Sequence, residues 1–328
     1  MIKTLKIKNL KSVRELSLDC RDLNLLVGDN LSGKSTVIDA LRLMYLAARF
    51  QYRYKTDRAA LINEGLVRHG REKAEASFVD TDGNFLSASL TGQDICCVDT
   101  SWQTLTDCFA GGNIYCIRTW EPAVPGCMKI PNDMRESLEG CGDIEMTVPG
   151  SFCLRYKDGL AKQVNDWLEK IIGSRIDFGE KYECCGAFFQ NGTGSPKAAA
   201  CAGLIAFCLS APIGTVICIE YPETGLSPRA QSGLGRFLYH VADTGRQLFV
   251  ETHSDHIFNA VRVGLVQKTM DADKIAVDYF VMKNGTTSCA PVLFNRYGDV
   301  YVTGKGNTID GLFDQFSKDL DAMLGLID

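Results

Sequence analysis

The feature that most constrains this chain is residues 28–35. Gly28-Asp29-Asn30-Leu31-Ser32-Gly33-Lys34-Ser35 fits the pattern G-x-x-x-x-G-K-[ST] without a gap. Glycine at both ends of such a loop lets successive backbone N–H groups turn inward and wrap a phosphate chain, which larger side chains block. Lys34 adds a mobile positive charge for the outer phosphates, and the Ser35 hydroxyl suits a magnesium ion. The flanks agree. Leu23-Asn24-Leu25-Leu26-Val27 reads as a strand buried on both faces, and Val37, Leu41, Met44 and Ala48 recur at helical spacing beyond the loop. A helix starting there turns the positive end of its dipole toward the same point. The expected cofactors are ATP and Mg2+, with Gly28, Asn30, Ser32, Gly33, Lys34, Ser35 and Thr36 as the binding residues.

A loop of this kind needs an acidic residue at a downstream strand end to hold the metal's water shell. Val216-Ile217-Cys218-Ile219-Glu220 supplies one, four apolar residues and then a carboxylate where the strand leaves the core. Ser35 and Glu220 are therefore the expected metal ligands. Further on, Phe249-Val250-Glu251-Thr252-His253 brings a histidine just past a second apolar strand. Ligands sit at strand carboxyl ends in parallel α/β sheets. A lone histidine is usually structural, but one at this place is expected to sense the γ-phosphate.

The rest of the chain reads as α/β. Leu5-Lys6-Ile7-Lys8 and Val13-Arg14-Glu15-Leu16-Ser17-Leu18 alternate with period two, an antiparallel hairpin turning at residues 9–12. After residue 186 the pattern predicts a helix over 197–209, a strand over 215–220, a helix over 228–241, a strand over 247–251 and a helix over 255–266. That alternation implies a parallel sheet. Residues 276–282 and 290–294 read as closing strands around the turn Lys283-Asn284-Gly285. Between 91 and 185 one helix, near 160–172, is legible among Pro122, Pro125, Pro131 and Pro149. The expected organisation is a first part of the nucleotide-binding head over 1–90, an inserted lobe over 91–185, the second part of the head over 186–270 and a short C-terminal domain over 271–328.

Composition excludes several classes. A formal net charge of −5 gives no global attraction for nucleic acid or anionic membrane, so any DNA contact needs a local basic patch. No apolar run approaches the roughly 20 residues that cross a bilayer, and the first residues lack the long apolar stretch of a signal peptide. A cytoplasmic protein is expected. The 14 cysteines include no Cys-x-x-Cys, and Cys201, Cys208 and Cys218 lie among aliphatic residues. Buried reduced thiols fit better than disulfides or zinc.

This layout resembles the ABC-type ATPases of the RecF, SMC and OLD (overcoming lysogenisation defect) group, over residues 1–48 and 186–268. Tyr297-Gly298-Asp299-Val300 and Gly311-Leu312-Phe313-Asp314-Gln315 resemble the short C-terminal domain of OLD-like ATPases. The resemblance implies an ABC-type head with a mostly parallel P-loop sheet, a lateral antiparallel sheet and an inserted lobe. It also implies that two heads dimerise, each ATP held between one head's P-loop and the other's signature loop. Asn191-Gly192-Thr193-Gly194-Ser195-Pro196 is the equivalent loop, so Gly192, Gly194 and Ser195 are expected to reach ATP in trans.

Two departures from the group's pattern matter. A second carboxylate, base for the attacking water, is usual where this chain has Tyr221, and a phenol of pKa about 10 cannot take that proton at neutral pH. Glu223 is the candidate substitute, which with His253 makes the catalytic pair. Pro196 stands where a serine is expected, although Ser195 is a good N-cap and Pro196 suits a first helical position. Tight ATP binding with slow hydrolysis is the expectation.

Weaker signals remain. Arg49, Arg53, Lys55, Arg58, Arg68, Arg71 and Lys73 cluster in one stretch, interleaved with Phe50, Tyr52 and Tyr54. They read equally as a DNA contact or a solvated face. Ile117-Arg118-Thr119-Trp120-Glu121-Pro122 resembles a segment of the OLD-like group without an assignable chemistry. Asp314, Asp319 and Asp321 fall on a helix whose inner side is Leu312, Phe316, Leu320 and Leu324, a solvated face rather than a nuclease centre. The expected function is an ATP-switched subunit that dimerises on ATP and controls a separate effector, a nuclease, in bacterial anti-phage defence. A self-sufficient RecF-like DNA-repair ATPase is the alternative. A transporter ATPase is disfavoured by the altered signature loop.

Overall fold

The computed structural model describes residues 1–49, 65–91, 95–102, 114–118, 145–147, 159–175, 196–302, 312–324 and 326. Strands β1 (Ile2–Leu10) and β2 (Val13–Asp19) pair antiparallel, with Leu10 opposite Val13. The hairpin turn is thus Lys11-Ser12 alone, tighter than the four residues expected, because Lys11 takes up positive φ (47°). β3 (Leu23–Gly28) leads into the phosphate loop and helix α1 (Ser35–Arg49). β4 (Lys73–Asp80), β5 (Phe85–Thr91) and β6 (Ile95–Thr100) complete an antiparallel sheet of order β2-β1-β4-β5-β6. Alternation explains it: Leu5, Ile7, Phe78, Leu86 and Leu90 turn to one face and are buried against Leu41, Met44 and Tyr45 of α1.

The second sheet carries the site. β7 (Ile114–Arg118), β8 (Glu145–Thr147), β9 (Val216–Glu220), β10 (Gln247–Glu251) and β11 (Ile275–Lys283) join β3 in a parallel array. β12 (Thr286–Phe294) and β13 (Val300–Val302) extend it antiparallel, giving the order β13-β12-β11-β3-β10-β9-β7-β8. Helices α2 (Leu160–Ile172), α3 (Pro196–Ser210), α4 (Pro228–Asp243) and α5 (Asp255–Val266) contribute to the core on one face of it. Alternate strand residues separate cleanly. Leu25, Ile217, Ile219, Leu248 and Val250 belong to that helical core, whereas Leu26, Cys218, Phe249 and Phe280 pack into the core shared with α1. Covering both faces is why these strands read as unbroken apolar runs.

The mixed α/β expectation holds, with three differences in detail. The described strands within 91–185 are members of the two sheets: β6 edges the antiparallel one, and β7 lies beside β9. α2 packs on α3 and α4, burying Val164 and Leu168 in the helical core. β12 begins at Thr286, four residues earlier than expected, because Asn284 and Gly285 (φ 49° and 69°) close a two-residue turn. Helix α6 (Gln315–Met323) does not bury Leu320 and Leu324, which are 41% and 63% exposed. Its anchor is the segment before the helix, where Leu312 is buried and Phe313 lies 5.1 Å from Phe258. A helical period assumed from residue 312 therefore assigned the wrong inner face.

Candidate functional site

The phosphate loop has its shape imposed by neighbours on both sides. Gly28 (φ 137°) lies so close to β11 that a Cβ there would sit 2.2 Å from the Phe280 carbonyl oxygen. Gly33 (φ 101°) leaves a Cβ only 2.2 Å from Thr287 Oγ1. Thr287 in turn donates to the Ser32 carbonyl (2.9 Å) and shares a 2.7 Å hydrogen bond with Ser12 Oγ. The start of β12 and the β1–β2 turn thus brace the loop from behind. Arg68 holds those elements together, with Nη1 donating to the Ser12 carbonyl (2.6 Å) and Nη2 to Thr286 Oγ1 (2.8 Å).

Within the loop, the Lys34 ammonium donates to the carbonyls of Gly28 (2.9 Å) and Asp29 (2.7 Å) and lies 3.9 Å from Glu251 Oε1. Burial lowers its pKa, opposed by the nearby charges of Glu251, Asp29 and Glu223. Ser32 and Thr36 are buried beneath the loop, Asn30 is exposed on it, and Leu31 stands at its tip, 89% exposed.

The strand order decides which carboxylate meets the loop. β10 lies between β3 and β9, and its terminal Glu251 is the register partner of Glu220. Ser35 Oγ donates to Glu251 Oε1 at 3.0 Å, and the Tyr221 hydroxyl donates to the same oxygen at 2.6 Å. Glu251 Oε2 is buried with no hydrogen-bond partner among the described residues. Tyr221 has φ 52°, its N–H donates to the Glu251 carbonyl (2.8 Å), and its ring stacks on His253 at 5.2 Å and 8°. Burial, then the bond to Glu251, pushes the phenol's pKa up.

His253 donates its backbone N–H to Glu223 Oε1 at 2.7 Å. Burial and then Lys34 lower the imidazole's pKa, while burial raises that of Glu223 despite this hydrogen bond. Glu223 Oε2 is buried and lacks a hydrogen-bond partner among the described residues. Hydroxyl and carboxylate oxygens, one of them buried and unsatisfied beside Ser35, make a donor set that suits a hard cation such as magnesium.

Residues 1–97 match the family model described as "AAA ATPase domain", and residues 199–259 match that described as "AAA domain, putative AbiEii toxin, Type IV TA system". Both halves of the site fall within these two matches. The first match holds the loop, and the second holds Glu220, Tyr221, Glu223, Glu251 and His253. Among curated protein sequences none matches the chain. Similar solved structures include the SMC head domain from Thermotoga maritima, at 15% identity and TM-score 0.51, covering 89% of this chain and 99% of that one. An SmcHead bound to the C-winged helix domain of ScpA gives 14% and 0.54, covering 88% and 97%. The Smc head domain with an extended coiled coil, bound to the C-terminal domain of ScpA and derived from Pyrococcus furiosus, gives 11% and 0.54, covering 98% and 99%. The fold is that of an SMC-type ATPase head.

Glu223 and His253 lie near Lys34 and Ser35 around the loop. Glu220 is buried at the end of β9, but the carboxylate hydrogen-bonded to Ser35 is Glu251, one strand nearer. Sequence reasoning passed over Glu251 even though it ends its strand just as Glu220 does. The expected trans residues Gly192, Gly194 and Ser195 lie outside the described residues, as do Arg53, Lys55 and Arg58 and the side chain of Arg49. Of the remaining basic residues, Arg68 spends its donors on the two hairpin turns, Lys73 pairs with Glu75 at 2.6 Å, and Arg71 is exposed. Among the described residues no helix is long and apolar enough to cross a membrane. Cys20, Cys201, Cys208 and Cys218 are buried free thiols.

Proposed function

We propose that this head binds ATP with magnesium, hydrolyses it slowly, dimerises on ATP and thereby controls a separate effector, a nuclease, in bacterial anti-phage defence. The observation that carries the reading is the convergence of Lys34 and Ser35 with Glu251, Glu223 and His253 at the carboxyl ends of adjoining parallel strands. Slow turnover follows from Tyr221, whose hydroxyl donates to Glu251 and is no base for water. Glu223 is the remaining base, and His253 the residue that senses the γ-phosphate. Gly192, Gly194 and Ser195 of a second head are assigned to cover the nucleotide.

The defence setting is carried over from the resemblance to the OLD-like group. Two of the similar heads hold a domain of another protein, a precedent for an effector docked on a head. The test is a pull-down of the tagged chain from its own cells with ATP and magnesium, and again with ADP. The reading expects a nuclease retained with ATP and released with ADP. Retention indifferent to nucleotide would contradict it.

A further inference from the structure

We infer that Glu251 is a magnesium-binding residue of this head, acting with Ser35 and held in place by Tyr221. The inference deepens the ATP-binding reading and rests on it. Glu251 is 1% exposed, and a carboxylate so buried needs its oxygens satisfied. One oxygen is satisfied twice over, by Ser35 (3.0 Å) and by Tyr221 (2.6 Å). The other, Oε2, has no hydrogen-bond partner among the described residues. Lys34 lies 3.9 Å from the satisfied oxygen. An orphaned buried carboxylate oxygen carries a desolvation cost that no hydrogen bond offsets. A hard dication is the ligand whose chemistry removes that cost.

Ser35 fits the same account. Its hydrogen points to Glu251, which leaves the oxygen's lone pairs available to a cation while the carboxylate keeps the hydroxyl oriented. Glu251 is placed between the loop and Glu220 by the strand order, where an ion bound at Ser35 would need its negative charge. Tyr221 is a positioning residue: its phenol and its backbone N–H both bond to Glu251. The competing account makes Glu251 merely the counter-charge of Lys34. Its removal would then change ATP affinity equally with and without metal.

The experiment is a titration of full-length protein with a fluorescent ATP analogue, once in magnesium and once in EDTA, for wild type, Glu251→Gln and Tyr221→Phe. Manganese electron paramagnetic resonance on the ATP complex reads the ion directly. Wild type should bind more tightly in magnesium. Glu251→Gln should lose about 10- to 100-fold of that gain, with EDTA affinity unchanged or tighter and manganese binding weakened in parallel. Tyr221→Phe, which keeps charge and volume, should lose a smaller part of the gain, so the inference stays testable if the Gln variant folds poorly. Both variants keeping the full magnesium gain would overturn the inference, as would a wild type that binds ATP without any gain. A wild type that binds nucleotide in neither condition would instead overturn the ATP-binding reading itself.

Discussion

The Tyr221 phenol donates a 2.6 Å hydrogen bond to the Glu251 carboxylate across the ends of two neighbouring parallel strands. That bond makes the residue after Glu220 a donor aimed at a carboxylate, when hydrolysis asks for an acceptor aimed at water. Tyr221→Phe should therefore cost stability as well as metal binding, since it strips one donor from a buried acid. The expected loss is about 1–2 kcal/mol by urea denaturation. An unchanged midpoint would mean that Glu251 gains nothing from the phenol.

On the proposed function Glu223 is the remaining base, so Glu223→Gln should abolish residual ATP hydrolysis while ATP still binds, measured by phosphate release and calorimetry. Because burial raises the pKa of Glu223, the acidic limb of wild-type turnover should lie above the ordinary carboxylate range, with activity rising as pH increases through it. Turnover that survives in the Gln variant would remove Glu223 from the mechanism.

Arg68 ties the β1–β2 turn to the β11–β12 turn through fixed donors of its planar head. Arg68→Ala should lower stability by about 1.5–3 kcal/mol, and Arg68→Lys should recover little, since an ammonium cannot reproduce the fork. A melting curve unaffected by either change would return Arg68 to the surface role that its place in a basic stretch suggested.

Much of this was legible in the sequence because burial leaves periodic marks. The unbroken apolar run of β3 declared a strand covered on both faces, and the helices expected over 228–241 and 255–266 begin beside Ser227 and Ser254, whose side chains accept from Ala230 and Ile257. What was hidden is what neighbours decide. Nothing local says that β10 rather than β9 lies beside β3, so the bond between Ser35 and Glu251 is not legible in the sequence. β7 was invisible for a related reason: its five residues become a strand by pairing with β9, far away in sequence. The brace of Thr287 against Gly33 likewise exists only once the chain is folded.

Asp278 supplies a test of the fold apart from the site. It lies on β11 at 7% exposure, with Cys289 Sγ 3.9 Å from Oδ1. Burial pushes its pKa up to about 7, against the lowering by the Cys289 contact. The native state then keeps the proton up to about pH 7, while the unfolded chain releases it near pH 3.9. Between those values the native state binds more protons, so this acid's contribution to stability falls as pH rises, by about 1.4 kcal/mol per pH unit at most. Asp278→Asn should remove that decline in urea titrations from pH 4 to about 8. A variant that declines as steeply as wild type would mean that Asp278 is ionised throughout.

The claim that ATP joins two heads is tested most directly by light scattering on the wild-type protein, with ATP and magnesium and then with ADP. ATP bound between two heads stabilises the dimer by mass action, so the dimer fraction should rise with ATP and fall with ADP. Gly194→Asp, which on the proposed function sets a negative charge against the phosphates in trans, should suppress the rise while the isolated monomer still binds ATP. A dimer equally stable with ATP, with ADP and without nucleotide, and indifferent to Gly194→Asp, would contradict the account.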